Sequence, residues 1–234
     1  MKLNELLTAT SVVNRIGEGD PEISSISHDS RETVQGSLFF AISGFKTDGI
    51  KFINDAVQRG AAAVVSQTPL DASLSIPFIQ VADTRKSLAE LSWKLFGNPE
   101  QKLRLIAITG TNGKTTVANV LSYILNHCGY PCGVCGTLGI QYRGFHTDSP
   151  RTTPEADVLA PHLRSMLDSG ITACVMEATS IGIALKRVHA LPFEAAVYTN
   201  LSRDHLYFHG SWDAYLQAKL ELFRSLPPAS FAVI

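Results

Sequence analysis

Leu103–Thr116, LRLIAITGTNGKTT, is the stretch on which the reading of the whole chain turns. Leu105, Ile106, Ala107 and Ile108 form the short apolar run of a buried parallel strand. A turn with Gly110 and Gly113 follows, then Lys114-Thr115-Thr116, then Val117, Val120, Leu121, Ile124 and Leu125 at helical spacing. Strand, tight loop, Gly-Lys-Thr and helix make up the layout of a phosphate-binding loop. Glycine lets a backbone approach phosphate without a Cβ in the way. A helix start offers free N–H groups and the positive end of its dipole to an anion. Gly110, Thr111, Asn112, Gly113, Lys114, Thr115 and Thr116 are therefore the expected nucleotide contacts, with Lys114 on the terminal phosphates and the Thr115 hydroxyl on Mg²⁺. The general pattern G-x-x-x-x-G-K-[ST] asks for glycine at position 108, where Ile108 stands.

Strand and helix patterns alternate on both sides of this loop. Residues 1–100 read as a small α/β domain: a helix with Leu3, Leu6 and Leu7, strands at 23–27, 38–42, 62–66 and 78–81, and helices near Phe52 and from Thr84 to Phe96. Gly97-Asn98-Pro99 reads as a linker. Residues 101–234 read as an incomplete, mostly parallel sheet of the phosphate-loop type, with strands near 133–138, 172–177, 195–199 and 230–234. Helices are expected at 156–169 and 211–226, and 139–151 reads as irregular. Ligands bind beyond the carboxyl ends of such strands, where Gly110–Thr116, Glu177 and Asn200–His205 all fall.

Several side chains there could carry chemistry. Glu177, just past an apolar strand, suits a Mg²⁺ ligand. His205 could serve a second metal, whereas His209, next to Gly210, reads as a loop or packing residue. Lys219 shares a helical stripe with Tyr215, Leu222 and Phe223. It either snorkels its ammonium to water or is desolvated, so that its neutral amine can react. Cys132-x-x-Cys135 has no matching second pair, so buried thiols are favoured over a zinc or redox site.

The 234 residues are 45% hydrophobic and 18% charged, with net charge −1. This argues against a general nucleic-acid or membrane partner. No run approaches the roughly 18 apolar residues of a membrane span, and the start lacks a signal-peptide core. The expectation is a cytoplasmic monomer.

The ordered motifs resemble one family, the Mur ligases, and within it the UDP-N-acetylmuramoyl-tripeptide synthetase (MurE) type. They are Asp29-Ser30-Arg31, Gly36-Ser37-Leu38-Phe39-Phe40-Ala41, Asp48-Gly49, Thr109–Thr115, Thr152-Thr153-Pro154, Glu177 with Ser180, Thr199–Leu206 and Ala218-Lys219. The shorter TGTNGKT loop of these ligases accounts for Ile108. The resemblance implies ATP-dependent addition of a diamino acid, diaminopimelate or lysine, to UDP-MurNAc-L-Ala-D-Glu in peptidoglycan synthesis, through an acyl phosphate. It implies Lys114, His205 and Lys219 as catalytic residues. Thr115 and Glu177 would hold one Mg²⁺, and His205 and a carbamylated Lys219 a second. Ser30, Phe45, Lys46, Thr47, Thr152, Thr153, Thr179 and Arg187 would contact the UDP-sugar-peptide. The chain departs from the commonest pattern at Ile181, Leu185 and Tyr207, where His, an amide side chain and Asp are usual. It also lacks the family's C-terminal region, so a truncated, non-catalytic chain is the competing expectation. The D-Ala-D-Ala-adding ligase and folylpolyglutamate synthetase are the nearer enzymatic alternatives.

Overall fold

A computed structural model describes residues 1–44, 47–70 and 74–234 of the chain. Phe45 and Lys46, expected at the uridine end of the substrate, lie outside the described residues. The chain divides into two compact units, Met1–Gly97 and Asn98–Ile234.

The first unit runs α1 (Leu3–Leu7), β1 (Val12–Ile16), β2 (Ser25–Ser27), β3 (Ser37–Ala41), α2 (Ile53–Gln58), β4 (Ala61–Ser66), β5 (Phe78–Val81) and α3 (Thr84–Leu95). Its sheet has the order β1-β5-β4-β3-β2, parallel except for β1, which pairs antiparallel with β5. Alternation along β3 sets the two faces. Leu38 and Phe40 join Leu3, Leu6, Leu88 and Leu91 in one apolar cluster. Phe39 and Ala41 join Ile53, Ala56 and Phe78 in another. The Asp83 carboxylate caps α3 through the N–H groups of Arg85 and Lys86, which fixes where that helix begins. Strand β1 is absent from the sequence reading. It is an edge strand with Val12, Val13 and Ile16 exposed, so no buried face imprints a pattern on it.

The second unit runs β6 (Arg104–Thr109), α4 (Lys114–His127), β7 (Cys132–Gly136), β8 (Gly139–Tyr142), β9 (Phe145–Thr147), α5 (Ala156–Asp168), β10 (Ala173–Glu177), α6 (Ser180–Ala184), β11 (Phe193–Tyr198), α7 (Leu206–His209), α8 (Trp212–Arg224) and β12 (Phe231–Val233). The sheet order is β12-β11-β6-β10-β7-β8-β9. Strands β12 to β7 are parallel, while β8 and β9 extend the sheet antiparallel. The stretch read as irregular is thus mostly a hairpin. Tyr142 pairs with Phe145 across Arg143 and Gly144, whose positive φ angles of 40° and 76° define the two-residue turn such hairpins favour.

Helix α4 packs Ala118 against Ile108, Val134 and Val175. Helix α5 sends Met166 toward Gly133, where a Cβ would meet the sulfur at 2.9 Å. Cys132, Cys135 and Cys174 are buried free thiols, as expected, with the Cys135 and Cys174 sulfurs 3.8 Å apart. Among the described residues no helix is long and apolar enough to cross a membrane.

Candidate active site at the carboxyl ends of β6, β7, β10 and β11

The phosphate-type loop leaves β6 at Gly110 and enters α4 at Lys114. Gly110 (φ 138°) and Gly113 (φ 84°) both occupy backbone regions that disfavour side chains. A Cβ on Gly110 would also run into the Thr199 hydroxyl. The loop is clamped from the end of β11. The Thr111 N–H donates to the Asn200 carbonyl (2.9 Å) and the Asn112 N–H to Asn200 Oδ1 (3.0 Å). Asn200 Nδ2 and the Thr199 hydroxyl donate back to the Asn112 carbonyl at 3.0 and 2.6 Å. The Thr111 hydroxyl accepts from the Ser202 N–H and meets Tyr215 Oη, both at 2.9 Å. Its surroundings thus hold the loop in shape. Thr116 is exposed on the first turn of α4, where backbone N–H groups have no intrahelical acceptor.

Two lysines converge here. Lys114 Nζ donates to the carbonyls of Gly110 (3.0 Å) and Thr111 (2.8 Å), and Lys219 Nζ donates to the same Gly110 carbonyl at 2.7 Å. Lys219 is 1% exposed, so it does not snorkel. Its ammonium lies 4.6 Å from the Tyr215 ring centroid, inside the helix face expected to be apolar. Burial first, then the Lys114 charge, push the Lys219 amine down to about 7, with Asp204 opposing. Burial likewise lowers Lys114, against the opposing charges of Glu177 and Asp204. Two desolvated cations on one carbonyl leave a local excess of positive charge that an anion would relieve.

Across the loop, Glu177 ends β10 and is 2% exposed. Its Oε2 accepts from the Thr115 hydroxyl (2.9 Å) and the Thr137 hydroxyl (3.2 Å), and its Oε1 accepts from the Thr137 N–H (2.8 Å). A Cβ on Gly136 would collide with Oε1, so glycine there gives the carboxylate its room. The Thr115 hydroxyl and Glu177 carboxylate form an oxygen pair suited to a hard divalent cation that shares its shell with phosphates and water. Among the described residues no three His, Cys, Asp or Glu side chains gather as a metal cage.

The remaining expected residues take varied places. His205 (φ 53°) starts α7, with its N–H on Asp204 Oδ1 (2.7 Å) and its Nδ1 3.2 Å from Tyr207 Oη. Its ring lies edge-on to Tyr215, so it neighbours the lysine pair through that ring. His209 packs on Tyr215 and pairs with the Ser180 hydroxyl at 3.0 Å. The Thr152 hydroxyl is 3.1 Å from that of Thr137. Thr153 is buried, with its hydroxyl donating to the Glu177 carbonyl (2.8 Å) and lying 2.9 Å from that of Thr179. Arg187 is nearly buried, binding Glu155 Oε1 (2.8 Å) through Nε and the Thr153 carbonyl (3.1 Å) through Nη1. In the first unit Ser30 is buried and hydrogen-bonds Asp55, while Thr47 is exposed.

The site thus unites Lys114, Lys219, Thr115 and Glu177 with Asn200 of the stretch singled out from sequence, and it adds Thr137 and Glu155. Thr137 and Asn200 each follow the carboxyl end of a parallel strand, and that position was the available signal. Nothing local marks Glu155.

These features together make up a phosphate-loop-type site at the carboxyl edge of a parallel sheet. A Mur ligase middle-domain profile matches residues 108–234, and a Mur ligase family catalytic-domain profile matches residues 22–93. The chain belongs to the Mur ligase family. It is 42% identical over 207 residues to the UDP-N-acetylmuramoyl-L-alanyl-D-glutamate–2,6-diaminopimelate ligase of Clostridium perfringens, covering 88% of this chain and 43% of that one. It is 41% identical over 238 residues to the ligase of the same name from Chlorobium phaeobacteroides, covering 100% of this chain and 46% of that one. A solved structure of a ligase of that name superposes with a TM-score of 0.75 at 34% identity, covering 86% of this chain and 41% of the other. The chain spans less than half the length of these relatives.

Proposed function

We propose that the chain carries the nucleotide-binding and UDP-precursor-binding portion of an ATP-dependent ligase that joins a diamino acid to UDP-MurNAc-L-Ala-D-Glu. The convergence of Lys114 and Lys219 on one carbonyl at the mouth of a phosphate-type loop is the observation that carries this reading. The names of the relatives supply the substrate class.

In the proposed reaction the D-glutamate carboxylate attacks the γ-phosphorus of ATP, the bond to ADP breaks, and an acyl phosphate forms. The amine of the diamino acid then attacks the acyl carbon, and phosphate leaves as the amide forms and a proton is released. Catalysis of phosphoryl transfer rests on positioning and charge neutralisation. Lys114 exchanges its carbonyl partners for phosphate oxygens, and the helix start at Thr115-Thr116 adds N–H donors. Mg²⁺ would supply further charge neutralisation, with Thr115 and Glu177 holding one ion and His205 and a carbamylated Lys219 a second. The low basicity of Lys219 suits that modification: the neutral amine adds to CO₂, an N–C bond forms, a proton is lost and an anionic oxygen ligand results. The proposed precursor contacts are Ser30 and Thr47 of the first unit, with Phe45 and Lys46 outside the described residues, and, taken separately, Thr152, Thr153, Thr179 and Arg187 of the second.

The test is calorimetric titration with Mg-ATP and with UDP-MurNAc-L-Ala-D-Glu, followed by ADP release with and without diaminopimelate or lysine. Binding of both ligands is expected. Binding of a folate in place of the UDP precursor would overturn the substrate assignment.

A further inference from the structure

Thr137 stands at the centre of four side-chain oxygens. Its Oγ1 is 3.2 Å from Glu177 Oε2, 3.3 Å from Thr115 Oγ1 and 3.1 Å from Thr152 Oγ1. Its backbone N–H reaches the other carboxylate oxygen, Oε1, at 2.8 Å. Glu177 is therefore gripped at both oxygens by one residue. Gly136, immediately before it, provides the space in which the carboxylate lies.

Proton counting gives this cluster a direction. A hydroxyl has one proton and two lone pairs, and an ionised carboxylate only accepts. The Thr137 proton goes to Glu177 Oε2, which leaves its lone pairs to accept from Thr152. Thr152 then donates to Thr137, and Thr115 donates to Glu177. The resulting chain runs from Thr152 through Thr137 to the carboxylate.

We propose that Thr137 is a positioning residue: its hydroxyl orients the Glu177 carboxylate toward Thr115 for a nucleotide-bound divalent cation and links that carboxylate to Thr152. This inference rests on the nucleotide-site reading given above. Groups that hydrogen-bond a metal ligand fix its orientation, and their loss typically weakens metal binding by about 10- to 100-fold. The hydroxyl of Thr137 meets that description for Glu177. Its side chain is exposed, so changing it leaves the core untouched.

Thr137→Val removes the hydroxyl while keeping the branched shape and the backbone N–H; Thr137→Ser restores the hydroxyl. The two variants and the unaltered chain are titrated with ATP in excess Mg²⁺ and with ATP in excess EDTA, and their thermal unfolding is compared. Thr137→Val is expected to weaken Mg-ATP binding by about tenfold, to leave metal-free ATP affinity and the unfolding midpoint unchanged, and to be rescued by Thr137→Ser. Equal Mg²⁺ dependence in Thr137→Val and the unaltered chain would overturn the inference, as would a Ser variant no better than Val. If the unaltered chain itself shows no Mg²⁺-dependent nucleotide binding, the underlying site reading falls and this inference with it. That result is distinguishable because it appears before any substitution is made.

Discussion

The two units bury different chemistry. In the first, the buried polar side chains among the described residues are all hydroxyls: Ser27, Ser30, Thr33, Ser37, Ser66, Thr84, Ser87 and Ser92. In the second, Glu100, Glu155, Glu177, Arg187 and Lys219 are all less than a tenth exposed. Both units hold parallel strands with helices packed on them, so sheet architecture does not account for the contrast. Burying a charge is costly unless it is paired and hydrogen-bonded. The second unit meets that cost by pairing Arg187 with Glu155, by threading Glu177 between Thr115 and Thr137, and by resting Lys219 on a backbone carbonyl. Four of its five buried charges adjoin the loop-bearing rim or support it. Glu100 stands apart, and burial raises its carboxyl.

The contrast can be broken most directly at Arg187. Arg187→Met deprives buried Glu155 of its guanidinium and should destabilise the second unit by about 3–5 kcal/mol, read by urea unfolding. Adding Glu155→Leu should recover much of the loss, and a silent single variant would show that the buried pair is not what holds this rim. Next in size is Lys114→Met, which should weaken nucleotide binding by about 1.5–3 kcal/mol, the worth of a hydrogen bond to a charged group, in a titration. It should also raise the Lys219 pKa, since it removes a neighbouring positive charge, and NMR of the lysine side-chain nitrogens would detect that rise.

Lys219 gives the third prediction. Its folded pKa is about 7 and the ordinary value is 10.5, so between those limits the unfolded chain holds more protons than the folded one. Stability should therefore rise with pH across that window, at up to about 1.4 kcal/mol per pH unit from this group. Below about 7 its burial penalty is fully present and no longer changes. Denaturant midpoints measured from pH 6 to pH 10 should show the rise, and Lys219→Met should flatten it. The smallest effect is expected in the first unit. Ser92 Oγ is buried without a hydrogen-bond partner, so Ser92→Ala should leave stability unchanged or raise it by up to about 1 kcal/mol. A large loss there would mean that the first unit depends on its buried polar groups as the second does.

The parts of the molecule legible from sequence are those whose cause is local. The β6–loop–α4 unit shows as an apolar run, glycines and a helical stripe, and β10 and β11 show as apolar segments ending in polar residues. Helices α1 and α3 carry their leucines at helical spacing. The β8–β9 hairpin was hidden because its turn is Arg143-Gly144 rather than Asn-Gly or Asp-Gly, and its one apolar alternation, Ile140-Gln141-Tyr142, is only three residues long. Edge strand β1 was hidden because it buries little. At the site, the residues flanking the loop were legible from position. The clamp by Asn200 spans 88 residues of chain and the Arg187–Glu155 bond spans 32, so neither leaves a pattern in any short window. For Lys219 the helical face was plain. Whether its head reaches water depends on Gly110, 109 residues away.

That single carbonyl also offers an internal gauge. Each hydrogen bond to a peptide C=O withdraws electron density and lowers its stretching frequency, and the Gly110 oxygen holds the ammoniums of both Lys114 and Lys219. A ¹³C label at this one carbon would let infrared spectroscopy follow the departure of either lysine, whether an anion draws one off or a carbamate neutralises the other.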